Sequence, residues 1–257
     1  MKAFTSLQNK KYLKRTVSIC LWLLIWQIAF TVINKELLIA SPLQVGLRLS
    51  ELVTTSEFWL ITGKSLLKIT EGYLLGVAFG TILAVFTAKS EFLYEFFYPV
   101  ISVVRATPVA SFIILALVWL KRENISMFIC LLMVLPIVWA NVTQGIRDVD
   151  GKLIEMGRVY GFGMKKLLTK IYIPSVMPHF TTGVTTSLGL AWKAGIAAEV
   201  LSTPKDYIGT QLYNSKIYIE TVDLFAWTAV VIVLSFLLEK AVVWLIRKFL
   251  KGDRVYD

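Results

Sequence analysis

Histidine and cysteine are nearly missing from this chain of 257 residues, which has one of the former and two of the latter. The lone His179, with no cysteine near it, makes no metal site. Cys20 and Cys130 fall inside apolar runs and are expected as small buried hydrophobes rather than a disulfide. Acidic residues are also scarce, at 17 Asp and Glu against 27 Lys and Arg. Within the apolar stretches Glu71 and Glu199 are the clearest carboxylates, and no serine or cysteine nucleophile has a plausible base, so enzyme chemistry has little to stand on. No phosphate-binding loop is present: Gly63-Lys64-Ser65 imitates its tail, but Phe58 stands where the first glycine is required. No cofactor is therefore expected on this chain. Arginine-rich recognition helices and zinc spacings are absent too, so the net charge of +10 does not argue for nucleic acid. Linkers, internal repeats and low-complexity segments are not seen, and residues 1–257 are expected to form a single domain.

What the chain has in abundance is apolar sequence. A hydrophobic fraction of 56% and a mean hydropathy of +0.68 exceed what a soluble domain of this length carries, so the chain reads as an all-α integral membrane protein. Six spans are expected, at about residues 17–33, 66–88, 103–120, 125–142, 178–201 and 226–246. The first follows a basic tail and lacks a small-x-small cleavage site, so it reads as a retained span. Residues 34–63 read as a polar external segment, within which Ser41-Pro42 opens a short interfacial helix reaching Val53. Residues 89–107 read as an aromatic connection, with the third crossing completed from before Pro108. Lys121–Asn124 reads as a tight turn, and Pro136 as a kink in the fourth span.

With the N-terminus inside, six spans put both termini and the loop 148–174 in the cytoplasm. Charge gives an independent check. Segments assigned inside carry 17 Lys and Arg against 7 in those assigned outside, as positive-inside sorting requires. Lys121 and Arg122 are the local exception.

Two features inside the spans stand out. Gly72, Gly76 and Gly80 are spaced four apart, a doubled small-xxx-small row suited to close helix packing in lipid. A similar ridge runs Gly183, Ser187, Ala191, Gly195, Glu199. Lys193 and Glu199 are charges within a span, each costing roughly 2.5–3.5 kcal/mol at the bilayer centre. Six residues turn a helix by about 240°, so the two cannot pair on one helix. Glu199 reads as lining a translocation path. Lys193 reads either as path or as a snorkelling side chain. Trp192, seven before Glu199, shares its face and reads as a third path residue, or simply as packing.

The longest polar interruption of the second half runs from Glu155 to Pro174. Val149, Leu153, Met156 and Tyr160 recur at helical spacing, Gly161-Phe162-Gly163 breaks the helix, and Met164, Leu167, Leu168 and Ile171 resume the stripe until Pro174 is expected to stop it. Helix, glycine turn and helix would make a rigid knob at the membrane surface.

Glu155, Gly161 and Ile171-x-Ile173-Pro174, with nine residues between Gly161 and Ile171, resemble the signature E-A-A-x3-G-x9-I-x-L-P of type I ABC importer permeases. Met156-Gly157 replaces the usual two alanines and Ile173 the usual leucine; the extra glycine is expected to loosen the first helix. Ser41-Pro42, Ser65-Leu66-x-Lys68-x3-Gly72, Arg105-x2-Pro108-x-Ala110, Trp119, Asp148-Val149-Asp150, Ala191-Trp192 and Ala198-Glu199 follow in the order of the nitrate/sulfonate/taurine branch. Here Leu120-Lys121-Arg122 follows Trp119 where an aromatic and a glycine are common.

The resemblance implies a permease fold with a cytoplasmic coupling helix in a bacterial inner membrane. It implies two separate ATPase subunits, a second permease copy and an extracytoplasmic solute-binding protein as partners. ATP would be bound by the ATPase, and Glu155, Met156, Gly157, Tyr160, Gly161, Phe162, Ile171 and Pro174 would form the coupling site. The solute would be sulfonate-, nitrate- or taurine-like, or a related small organic solute, moved by alternating access. Two alternatives need no ATPase. One is an ion-coupled secondary transporter using Glu199 and Lys193, although no inverted repeat or matched pair of broken helices supports it. The other is a membrane scaffold, which leaves the intramembrane charges unexplained.

Overall fold

The computed structural model describes residues 2–251, with side chains described for 16–246 and 248. The side chains of the basic tail before Thr16, and Arg247, Lys251 and Arg254 of the closing tail, lie outside this range. Eleven α-helices follow one another among the described residues: α1 (Lys2–Ile33), α2 (Pro42–Thr54), α3 (Ser56–Lys89), α4 (Glu91–Ala106), α5 (Val109–Trp119), α6 (Arg122–Arg147), α7 (Gly151–Val159), α8 (Met164–Leu167), α9 (Ile173–Ser202), α10 (Ile208–Ile217) and α11 (Thr221–Lys251). A π-helical turn, Leu168–Tyr172, joins α8 to α9. Among the described residues, four helical stretches are long and apolar enough to cross a membrane: Thr16–Ile33, Ser56–Lys89, Arg122–Arg147 and Thr221–Ile246. The pair α4 and α5 adds a fifth crossing if it counts as one broken span. The 30 residues of α9 also suffice to cross, at roughly 45 Å. Its threonines, His179, Lys193 and Glu199 make it less apolar than the other four. The chain is a multi-pass helical membrane protein.

By contacts the chain divides into two compact units. The first comprises residues 1–60 and 211–230. Here α2 begins as its sequence predicts, with Ser41 and Gln44 forming a reciprocal capping box and Pro42 in the first turn. Ala40, Val45 and Ala226 form a small core, closed by Trp26, Leu49, Leu52, Val222 and Phe225. The Trp26 ring stacks on Phe225 at 5.7 Å and its Nε1 donates to the Ala40 carbonyl at 2.9 Å. Arg48 forks onto both carboxylate oxygens of Asp223 and onto Glu51, and these bonds hold its guanidinium above its ordinary pKa.

The second unit, residues 61–210 and 231–257, is built around α6. Ile125, Ile129, Val134 and Val138 of α6 are fully buried. The glycine row of α3 lies on this helix. A Cβ at Gly72 would fall 2.1 Å from the Met127 carbonyl oxygen, one at Gly76 2.6 Å from Val134 Cβ, and one at Gly80 2.9 Å from the Leu135 carbonyl oxygen. The ridge of α9 meets α6 as well, with Gly183 against Asn141 and Gly195 against Cys130 and Ile69. Cys130 Sγ donates to the Ala191 carbonyl at 3.2 Å, and the Tyr73 hydroxyl to that of Val184 at 2.9 Å. Both small-residue rows are thus consumed by packing inside one chain.

Several local expectations are corrected. Cys130 is buried, but Cys20 is exposed, on a stretch of α1 whose residues 17–25 are all exposed. The polar segment 34–63 ends early, because α3 starts at Ser56 and carries Phe58 to Gly63 as helix. The aromatic connection is itself a helix, α4, capped by the Ser90 side chain and containing Pro99. The stretch 103–120 is not one straight span: α4 and α5 meet at 103°. Pro108 forces this bend, since a residue before proline is driven from helical backbone and Thr107 sits at φ −78, ψ 132. Helix α6 already begins at Arg122, with Lys121 as its extended cap, in place of a tight turn over 121–124. Pro174 does not stop the second helix of the elbow. The π-helical turn before it changes the hydrogen-bond register, so the missing N–H and the ring are absorbed and helix continues to Ser202.

Candidate coupling elbow and transport helix

The elbow is set by an aspartate at one end and a glycine at the other. Asp150 caps α7 by accepting from the Lys152 amide at 2.9 Å. Beyond α7, Gly161 has φ +68, the left-handed conformation, its N–H reaching the Arg158 carbonyl at 3.0 Å while Phe162 N–H reaches that of Gly157 at 2.8 Å. This pair of bonds is a Schellman cap. The second arm packs back on the first: Leu167 and Ile171 are buried, and a Cβ on Gly157 would stand 2.9 Å from Leu167 Cδ2 and 3.0 Å from Ile171 Cδ1. The glycine expected to loosen α7 is the point where the two arms touch.

The apolar stripe read from the sequence divides: Leu167 and Ile171 turn inward, and most of the rest points outward. Leu153, Met156, Val159, Tyr160, Met164 and Leu168 are exposed, Val159 and Tyr160 at 86% and 74%. Glu155 and Pro174 are exposed and Phe162 half-buried. The knob thus presents an unpartnered apolar face while its inner face is closed.

Two contacts the sequence did not reveal tie the elbow's root to the helices. Asp148 accepts from Gln144 Nε2 at 2.8 Å and lies 3.7 Å from Nε2 of His179 at the start of the long helix. Arg147, one residue earlier, sets its guanidinium 3.9 Å over the Tyr94 ring, which stacks on Trp139 at 5.3 Å, and Trp139 Nε1 donates to Thr87 at 2.8 Å. The signal for this column was the run of aromatics around Tyr94, but which of them meets a cation depends on how α4 packs.

On α9 the three candidate path residues separate. Trp192 is 2% exposed and its Nε1 donates to the Val231 carbonyl at 3.1 Å. Glu199 is fully buried; its Oε2 accepts from Ser65 Oγ at 2.8 Å and from the Gly209 amide at 3.1 Å. Only Lys193 is exposed, on a strip with Thr182, Thr186, Gly189, Leu190 and Ala197 that is exposed too. A cavity of about 150 Å³ lined by Thr185, Thr186, Gly189, Trp192, Ser235 and Glu239 adjoins that strip.

Several membrane-length helices, a capped elbow and a long helix carrying ionisable residues are the features to be matched with known proteins. Residues 76–251 match the family described as binding-protein-dependent transport system inner membrane component, and the chain belongs to that family. It is a permease component of the type I ABC importer class, of the nitrate/sulfonate branch. It is 27% identical over 237 residues to the protein of Bacillus subtilis (strain 168) named as an aliphatic sulfonates transport permease, SsuC, covering 91% of this chain and 85% of that one. The nitrate import permease protein NrtB of Synechocystis sp. is 23% identical over 87% of this chain and 85% of its own length. The bicarbonate transport system permease protein CmpB of the same organism is 26% identical, over 62% of this chain and 56% of its own. Among solved structures, an amino acid ABC transporter shares the fold, with a TM-score of 0.60 at 16% identity over 78% of this chain and 96% of that one.

Proposed function

We propose that the chain imports a small oxyanion, handed to it by an extracytoplasmic binding protein and driven by separate ATPase subunits docked on the elbow. Both units act together as one permease domain, paired with a second copy, with both termini and the elbow in the cytoplasm. The observation that carries the substrate class is Lys193, the one path candidate left exposed, on a strip that also carries Thr186. A cation exposed on a membrane-crossing helix suits a dispersed negative charge. Sulfonate, nitrate and bicarbonate, named for the relatives, are oxyanions.

Docking of the ATPase is supported by the exposed face of Met156, Val159, Tyr160 and Met164 on a knob whose inner side is rigidly closed by Leu167 and Ile171. ATP acts through its different affinity for two arrangements of the complex, and the elbow transmits that difference to the long helix leaving it. The test is copurification followed by reconstitution. The chain should bring down an ATPase, and proteoliposomes containing the complex should take up a labelled sulfonate, nitrate or bicarbonate only with ATP. Uptake driven by an ion gradient without ATP would replace this reading with the secondary transporter.

A further inference from the structure

The strip around Lys193 does not use Glu199, which lies fully buried near the opposite end of the long helix from the elbow. Two neutral donors hold it, a hydroxyl and an amide. Ser65 Oγ donates to its Oε2 at 2.8 Å and itself accepts from the Ile208 amide at 2.9 Å. The Gly209 amide completes the set at 3.1 Å. Ile208 and Gly209 open α10, where helical amides have no partner of their own. One carboxylate oxygen and one hydroxyl thus satisfy both, tying residues of α3, α9 and α10 at a single point. The approach is close enough to exclude a side chain at 209, where a Cβ would stand 2.3 Å from Glu199 Cβ and 2.5 Å from the Val200 nitrogen. Lys64 and Asp206, paired at 2.9 Å, and left-handed Thr203 and Asp206 fold the 203–210 connection down onto this point.

Glu199 Oε1 is buried and finds no hydrogen-bond partner. A buried acceptor left unsatisfied is costly, so it offsets part of what the other bonds contribute. Such a clasp is closed yet inexpensive to open, because opening lets water reach the orphan oxygen. Along the helix, Glu199 is 28 residues beyond Ile171, about 42 Å, so a tilt imposed at the elbow displaces the clasp at the far end.

We propose that Glu199 is a positioning residue whose carboxyl latches the 203–210 connection to Ser65, holding the end of the permease away from the elbow closed until the ATPase drives it open. This rests on the transport reading above. The test uses the reconstituted complex with its ATPase and binding protein, comparing wild type with Ser65→Ala, Glu199→Ala and Glu199→Gln. Amide exchange at residues 208–209 should speed up about tenfold in Ser65→Ala and Glu199→Ala, with global assembly unchanged. Solute taken up per ATP hydrolysed should fall about fivefold in both. Glu199→Gln, which keeps an acceptor in place, should stay within about threefold of wild type on both readouts. Should Glu199→Ala fail to assemble, Ser65→Ala decides alone. Unchanged exchange in Ser65→Ala, faster exchange with unchanged uptake per ATP, or a Glu199→Gln protein as defective as the alanine variants would each overturn the latch. Failure of the transport reading would show instead in wild type, as absence of ATP-dependent uptake.

Discussion

The guanidinium of Arg147 lies 3.9 Å over the ring of Tyr94, joining the last turn of α6 to α4 beside the root of the elbow. Because Tyr94 also stacks on Trp139, whose indole is fixed by Thr87, the contact is one end of a column crossing from α4 through α6 to α3. Replacing Tyr94 with Leu removes the cation–π contact and the ring stack and should cost about 1–2 kcal/mol, whereas Tyr94→Phe should stay within about 0.5 kcal/mol. Unfolding of the purified protein in detergent, followed by tryptophan fluorescence, measures both. Equal losses in the two variants would assign the effect to the hydroxyl instead.

Gly161 separates backbone strain from steric crowding, since it has φ +68 and a Cβ added there would meet no atom within 4 Å. A β-branched residue there strains the turn by roughly 1–2 kcal/mol, while asparagine tolerates it. Gly161→Val should therefore leave ATP hydrolysis but reduce uptake, while Gly161→Asn should keep the two coupled. Parallel assays of phosphate release and solute uptake read the ratio. A normal ratio in Gly161→Val with intact assembly would count against the elbow as the coupling element.

The glycine row on α3 yields a paired comparison. At Gly76 an added methyl meets Val134 Cβ at 2.6 Å, and overpacking of this kind costs about 1–3 kcal/mol. At Gly63, on the same helix, nothing lies within 4 Å, so Ala there should gain roughly 0.5–1 kcal/mol from helix propensity alone. Thermal midpoints in detergent should move in opposite directions. Matching shifts would mean that α3 is not pressed on α6 along this row.

Lys193 is expected to act on the solute and not on the fold, because its side chain is exposed. Lys193→Gln should raise the KM for the transported anion about tenfold with little change in thermal midpoint, and Lys193→Arg should remain within about threefold. Initial uptake rates over a range of anion concentration provide the check. A lowered midpoint with unchanged KM would assign the lysine to packing.

The elbow was the part of this protein most fully written in its sequence. Its caps and turn use bonds between residues no more than five apart, so Asp150 and Gly161 act wherever the chain goes. The stripe of Met156 and Tyr160 was also readable, but not its direction, because outward and inward faces look alike until the second arm lies against Gly157. The break at Pro108 was missed, the third crossing being read straight through it, although the local steric rule before proline acts there. Pro174 did not stop its helix, because a change of hydrogen-bond register accommodated it. The glycine rows announced close packing without naming α6 as their partner.

Composition and periodicity alone determined a helical membrane protein interrupted by a helix, a glycine turn and a second helix, since hydropathy and helical spacing depend on neighbours in the chain. The tertiary structure decided that Lys193 is exposed while Glu199 is buried against Ser65 and Gly209. Residues 65, 199 and 209 meet only because three helices converge, and no local rule encodes which side of a helix its neighbours will cover.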